Sequence, residues 1–152
     1  IFYARGVLET VKKLRWCPDI IHCHGWMTAL APLYIKKAYK DEPSFRDAKV
    51  VFSVFEDDFK ESFNADFINR LVLKGVTKKD MAHLKAPVDY ATLCKLAIDY
   101  SDGVIQQSEN VNEEVMEYAR QAGKPILEYQ TPETFAEACN EFYDKVWETE
   151  QK

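Results

Sequence analysis

The sequence has no cluster of glycines that could wrap a phosphate group. Its five glycines stand apart, at positions 6, 25, 75, 103 and 123, and neither G-x-G-x-x-G nor G-x-x-x-x-G-K-[ST] occurs. Phosphate loops need closely spaced glycines because their backbone N–H groups must approach the anion. The chain therefore contains no recognisable nucleotide cradle.

Paired cysteines, excess basic charge and long apolar runs are also missing. The four cysteines form no C-x-x-C pair, so we expect reduced thiols in a cytoplasmic protein. Acidic residues outnumber basic ones by 25 to 20, which argues against nucleic acid or an anionic membrane as a partner. No apolar run approaches the roughly 20 residues that span a bilayer. We expect one domain over residues 1–152, cut from a longer protein because Ile1 falls inside a predicted helix.

Helical and strand patterns alternate along the chain. Short apolar or β-branched runs predict strands over residues 19–24, 49–55, 103–108 and 125–129. Apolar spacing predicts helices over residues 2–14, 26–39, 87–100, 111–121 and 131–147. In the first helix, one face can be shared by Phe2, Val7, Leu8, Val11 and Leu14. The fourth helix is predicted to be capped by Asn110 or Ser108. Residues 56–86 are predicted to be irregular. This order indicates an α/β fold, a Rossmann-like three-layer α/β/α arrangement whose mainly parallel sheet has about four strands.

The most informative segment is the strand, glycine turn and helix over residues 18–34. Ligands of open α/β sheets bind where strands end, and His24 and Trp26 lie at such an end. His22 and His24 project to one face of a strand, but a metal would need a third ligand such as His83, so no metal site is predicted. His24 is the better placed of the two for catalysis, although the pattern assigns no catalytic residue.

Two further features are expected at the same edge of the sheet. Trp26 presents an aromatic ring that suits the apolar face of a sugar, and it would equally well cover the top of the core. The acidic run Glu56–Asp58 follows the second strand. Paired acids there would suit acid–base chemistry or a cation, but acidic runs at the start of a loop more often are solvated or cap a helix.

Residues 18–34, P-D-I-I-H-C-H-G-W-M-T-A-L-A-P-L-Y, closely resemble a motif of the glycogen and starch synthases, which are two-domain retaining glycosyltransferases. Residues 50–54 resemble that family's second conspicuous strand, and residues 94–108 resemble its helix–strand segment. The similarity covers about residues 2–118, the second half of the family's N-terminal domain. It implies transfer of glucose from ADP-glucose to a growing α-1,4-glucan in glycogen biosynthesis, with no cofactor and with glucan and sugar nucleotide as partners.

The chain also departs from the family pattern. Gly25 stands where the family has an aspartate before the tryptophan, and Phe55 and Glu56 stand where it has a His-Asn pair. In this resemblance Glu56 or Asp57 would replace the lost polar contacts. The substrate-binding residues that it implies are His24, Gly25, Trp26, Thr28, Phe55, Glu56 and Asp57.

Two main functions follow from these departures. In the first, which the resemblance implies, the chain would be a piece of a glucan synthase. It would be inactive by itself because the groups that support a departing diphosphate in that family would lie outside it. Alternatively it is a non-catalytic glucan-binding or regulatory module that keeps the family fold. A flavodoxin-like domain of another role would need flavin- or phosphate-binding loops after the first strand, which the sequence lacks.

Overall fold

The computed structural model describes residues 1–149 and contains the parallel sheet that the sequence predicts. Its strands pair in the order β1-β2-β3-β4, all parallel. They are β1 (Ile20–His24), β2 (Lys49–Val54), β3 (Gly103–Gln106) and β4 (Ile126–Leu127). The α-helices are α1 (Phe2–Lys13), α2 (Ala31–Lys36), α3 (Phe67–Leu71), α4 (Tyr90–Asp99), α5 (Glu113–Gln121) and α6 (Pro132–Glu148).

Strand β2 is buried along its whole length and separates two cores. Because successive side chains of a strand point to opposite faces, Val50 and Phe52 face one side of the sheet and Val51 faces the other. Val50 and Phe52 join a large core with buried residues of α1, α2, α4 and α5. Val51 packs with Ile105 and with buried residues of α6 in a smaller core. The predicted three-layer α/β/α arrangement is therefore confirmed, with α6 covering the second face.

The apolar face of α1 is narrower than predicted. Ala4 and Leu8 are buried, whereas Phe2, Val7 and Leu14 are 91%, 44% and 71% exposed. Helix α1 packs against α2 and the turn after β1, so only its side facing those elements loses contact with water. The predicted helix is confirmed, but the apolar residues that could share one of its faces are not all buried.

The helix predicted over residues 26–39 is interrupted. A 3-10 turn over Trp26–Thr28 comes first, and α2 begins only at Ala31. Pro32 lies in the first turn of α2 and has no N–H group to donate to the carbonyl of Thr28, so a continuous helix is broken here. The same proline is well suited to the start of the new helix.

Two other helices start later than predicted because of their capping residues. Helix α4 begins at Tyr90, where the carboxylate of Asp89 accepts a hydrogen bond from the Thr92 N–H at 2.8 Å. The cap of α5 is Asn112, whose side-chain oxygen accepts from the Val115 N–H. The prediction of Asn110 or Ser108 as that cap was wrong. Among residues 1–149, no helix is long and apolar enough to cross a bilayer.

Candidate functional site

The turn after β1 depends on an unusual backbone conformation at Gly25. Its φ is +72° and its ψ is 174°, a region that is essentially restricted to glycine. The Gly25 N–H donates to the Ser53 carbonyl at 3.1 Å. The Gly25 carbonyl accepts from the Thr28 hydroxyl at 2.9 Å and from the Thr28 N–H at 3.1 Å. Thr28 therefore stabilises the turn, and the proton of its hydroxyl is already donated to the Gly25 carbonyl.

The carboxylate of Asp57 lies against this turn. Its Oδ2 atom accepts from the Trp26 N–H at 3.2 Å, and its Oδ1 atom accepts from the Tyr90 hydroxyl at 2.9 Å. A Cβ atom built on Gly25 would lie 2.7 Å from Oδ2. The Asp57 carboxylate thus occupies the space that a side chain at position 25 would need.

Tyr90 supports Asp57 from the large core. Its hydroxyl lies 2.9 Å from Asp57 Oδ1 and 3.2 Å from the Phe55 carbonyl. Burial, together with the neighbouring Cys94 and Asp57, raises the pKa of Tyr90. The hydroxyl therefore keeps its proton and acts as the donor that fixes the carboxylate.

His22 lies behind the turn in a network of hydroxyl groups. Its Nδ1 is hydrogen-bonded to the Tyr143 hydroxyl of α6, and its Nε2 to the Ser53 hydroxyl of β2. Ser53 Oγ donates to Gln107 Oε1 at 3.4 Å, so Ser53 accepts from Nε2–H and Nδ1 accepts from Tyr143. Burial, with a smaller contribution from His24, lowers the pKa of His22 to about 4. His22 is therefore neutral and has no ring nitrogen left for a metal.

This burial predicts a stability that depends on pH. The pKa of His22 is about 4 in the fold against 6.5 for an unperturbed histidine, so the unfolded chain binds the extra proton first. Stability is then complete above about pH 6.5 and falls as the pH is lowered toward about 4. Allowing for partial exposure, we expect a loss of roughly 1–2 kcal/mol between about pH 7 and about pH 5, measured by urea unfolding.

The control for this prediction is the third histidine. His83→Gln, in a side chain that is 80% exposed, is expected to keep the pH dependence of the wild type. His22→Gln is expected to reduce the pH dependence over the same interval to the smaller contribution of His24, whose pKa is also lowered by burial. An equal slope in His22→Gln and the wild type would contradict the assignment.

His24 connects the network to the surface. Its ring stacks on His22 with 3.9 Å between centroids, and it lies 6.0 Å from the Phe55 ring. Partial burial lowers the pKa of His24 as well. The exposed edge of the site therefore presents a mainly neutral imidazole beside an aromatic ring.

An aromatic groove, formed by Trp26, Phe59 and Phe63, lies next to the turn. The rings of Trp26 and Phe59 are 4.9 Å apart, and those of Phe59 and Phe63 are 5.4 Å apart, both edge to face. Phe63 is held in place because its N–H donates to the Val88 carbonyl at 2.8 Å. The groove has a volume of about 440 Å³. Its remaining lining residues are Lys60, Glu61 and Ser62.

The structure brings most of the candidate residues from the sequence to one edge of the sheet. His24, Gly25, Trp26, Phe55 and Asp57 surround the turn where β1 and β2 end. Glu56 follows the same strand, but its side chain is exposed, and only its N–H is engaged there, with the Ser108 hydroxyl at 3.1 Å. Of the two acids expected to replace lost contacts, Asp57 is the one that reaches the turn.

Sequence reasoning missed the aromatic groove and Tyr90. Phe59, Phe63 and Phe67 recur every four residues, a spacing that indicates a shared apolar surface and was a usable signal. Tyr90 reads as an inward residue of α4, and nothing in its sequence context indicates that its hydroxyl reaches Asp57. That contact arises from the tertiary fold.

Comparison with known proteins shows which family the chain belongs to. A family model described as the starch synthase catalytic domain matches residues 1–128, which include both strands that end at the turn. The chain belongs to the starch synthase catalytic domain family. The resemblance seen in the sequence is therefore confirmed.

Individual relatives in the starch synthase family agree with this assignment. The chain is 34% identical to the glycogen synthase of Clostridium perfringens over 122 residues, which are 75% of this chain and 23% of that protein. It is 33% identical to the glycogen synthase of Chlorobium chlorochromatii over 135 residues, which are 87% of this chain and 27% of that protein. The chain thus spans about a quarter of the length of these two relatives.

A solved structure shares the fold. The catalytic domain of starch synthase IV from Arabidopsis thaliana, bound to ADP and acarbose, aligns with a TM-score of 0.63 at 19% identity. The alignment covers 86% of this chain and 28% of that chain. At that identity the match supports the α/β fold of the chain alone.

Proposed function

We propose that this chain is part of a glucosyltransferase that moves glucose from ADP-glucose to a growing α-1,4-glucan. Its family membership and its similarity to glycogen synthases support the reaction class. The observation that carries the proposal is the aromatic groove beside the Asp57 carboxylate, at the edge of the sheet where strands end. Aromatic faces bind the apolar faces of sugar rings, and a fixed carboxylate accepts hydrogen bonds from sugar hydroxyls.

Within this proposal the site residues have separate tasks. Trp26, with Phe59 and Phe63 beside it, stacks against glucose units of the glucan. Asp57 accepts hydrogen bonds from their hydroxyls, and His24 contributes a neutral donor or acceptor at the exposed edge. The chain requires no cofactor in this scheme, since the donor itself carries the activated glucose. Four unpaired cysteines support a cytoplasmic location.

A non-catalytic glucan-binding or regulatory module is the second candidate. The conformation of Gly25 favours it, because the family pattern has an aspartate there and the backbone found here is restricted to glycine. Phe55 has no polar group to contact a sugar. Both candidates predict glucan binding at the groove, and they differ in whether the parent protein transfers glucose.

Titration with maltoheptaose, followed by isothermal titration calorimetry, tests the groove. The wild-type chain should show a saturable change, and Trp26→Ala should bind at least tenfold more weakly, since an aromatic contact of this kind contributes about 1.4 kcal/mol. Trp147→Ala, in an exposed ring of α6, is the matched control and should bind as the wild type does. Equal affinity of Trp26→Ala and Trp147→Ala would remove Trp26 from the site.

A second arm of the same experiment adds ADP-glucose and measures the release of ADP. The 152-residue chain by itself should release none, because the donor site lies in the part of the family that the chain does not span. The full-length parent protein should release ADP if it is a glucosyltransferase. Glucan binding without ADP release by the parent would favour the module.

A further inference from the structure

A basic cavity of about 810 Å³ lies at the opposite edge of the sheet from the candidate site. It forms where β2, β3 and β4 begin and where α2, α4 and α5 end. Its charged lining residues are Lys36, Lys40, Arg46, Lys49, Lys124, Asp99 and Asp102. The lining therefore carries an excess of three positive charges in a chain whose net charge is −5.

The two carboxylates of the basic cavity are already engaged. Asp102 Oδ2 accepts from the Val50 N–H at 2.7 Å and from the Lys36 ammonium at 2.8 Å. Asp99 Oδ1 accepts from the Tyr118 hydroxyl, and its Oδ2 lies 3.6 Å from His83 Nδ1. Little of their negative charge is therefore left for the other cations.

Helix ends account for part of the positive charge. The carbonyl ends of helices attract cations, and Lys124 donates to the Asp99 carbonyl at the end of α4, at 3.4 Å. Lys36 donates to the Ala48 carbonyl at 3.2 Å in addition to its ion pair. These contacts explain two of the five cations. Arg46 Nε lies 3.6 Å from Asp47 Oδ2, but both of these side chains are more than 60% exposed, so water screens this pair strongly. Lys40, Arg46 and Lys49 therefore need another explanation.

Lys49 is the most informative of these three. It is only 7% exposed, and its ammonium carries three N–H donors. Among residues 1–149, its one hydrogen-bond acceptor is the Thr149 carbonyl, at 2.7 Å. Burying a charged group without sufficient partners is costly, so an anion in the cavity would satisfy the remaining donors.

We propose that the basic cavity binds the phosphate group of a small molecule. Lys49 contacts the phosphate from the floor, and Lys40 and Arg46 approach it from the rim. The volume of the cavity, about 810 Å³, leaves room for an organic part of the ligand. Because this edge is separate from the candidate glucan site, the inference does not depend on the proposed function.

Thermal unfolding at constant ionic strength tests this proposal. A ligand that binds only the folded state raises Tm in a saturable manner, so inorganic phosphate should raise Tm where chloride of equal ionic strength does not. Glycerol 3-phosphate, compared with phosphate, shows whether an organic part adds affinity. A Tm rise that matches the chloride series would overturn the proposal.

Variants locate the binding. The double variant Lys40→Gln/Arg46→Gln changes exposed side chains and should fold normally, yet it should bind phosphate at least tenfold more weakly. Lys49→Gln should also weaken binding. Lys85→Gln, an exposed lysine outside the cavity lining, is the matched control and should leave the affinity unchanged. Equal phosphate affinity in all of these variants would overturn the proposal.

One further variant separates a ligand from a carboxylate of the chain itself. Glu150 follows Thr149 in the sequence, and Glu150→Gln removes its charge. Phosphate should bind both this variant and the wild type. Binding that occurs only in Glu150→Gln would mean that the chain supplies its own anion, which overturns the proposal.

Discussion

Replacing Gly25 with aspartate is expected to lower the free energy of unfolding by about 3–4 kcal/mol. The backbone at this position, with φ at +72° and ψ at 174°, is unfavourable for any residue with a Cβ atom. The new side chain would also start 2.7 Å from Asp57 Oδ2 and bring a second carboxylate against the first. Urea unfolding monitored by circular dichroism measures the loss.

Two comparisons separate the backbone cost of a side chain at position 25 from the cost of its clash with Asp57. Gly123 also has a positive φ, of +68°, but an added Cβ there meets nothing within 4 Å, so Gly123→Ala should show a backbone cost alone, about 1 kcal/mol. Adding Asp57→Ala to Gly25→Asp should recover the part that comes from the clash and the charge repulsion. A Gly25→Asp variant as stable as the wild type would contradict this description of the turn.

Replacing Gly103 with valine is expected to cost about 3 kcal/mol, by overpacking the contact between β3 and α6. A Cβ at this position would lie 2.8 Å from Val146 Cγ2 and 2.9 Å from Phe142 Cζ. Both partners are buried, and the phenyl ring has few ways to move aside. The strand can keep its hydrogen bonds only if α6 shifts away from the sheet.

Gly6→Ala is the matched control for this variant. Gly6 lies inside α1 with no atom within 4 Å of an added Cβ, so alanine there should stabilise the chain by about 0.5–1 kcal/mol. The two substitutions therefore have opposite expected signs. Equal stabilities of Gly103→Val and the wild type would mean that α6 does not pack as described.

The repeating part of the fold could be predicted from the sequence because it depends on periodicity. The strand β2 and the order of strands and helices follow from runs of β-branched and apolar residues. The break at Pro32 and the start of α4 at Asp89 could not be located as well, since capping and loop geometry depend on where the rest of the chain lies. The exposure of Phe2 and Leu14 likewise depends on which neighbours cover α1.

The candidate site was predictable in part. The turn residues could be named as candidates because strand ends and aromatic residues carry a signal in the sequence, and the structure places these residues together. The sequence also indicated that an acid near residue 57 could replace one lost at position 25, but it did not distinguish Glu56 from Asp57. The structure shows that glycine at 25 and aspartate at 57 depend on each other, since the carboxylate of one occupies the side-chain space of the other.

Helix α6 begins at Pro132, after the last residue that matches the family model. It nevertheless covers the second face of the sheet, where Phe142 and Val146 pack on Val51 and Ile105. A polypeptide ending at residue 128 would retain every residue of the family match and leave that face in water. The end of the family-model match is thus not the end of the folding unit, and truncation there would produce an aggregation-prone protein.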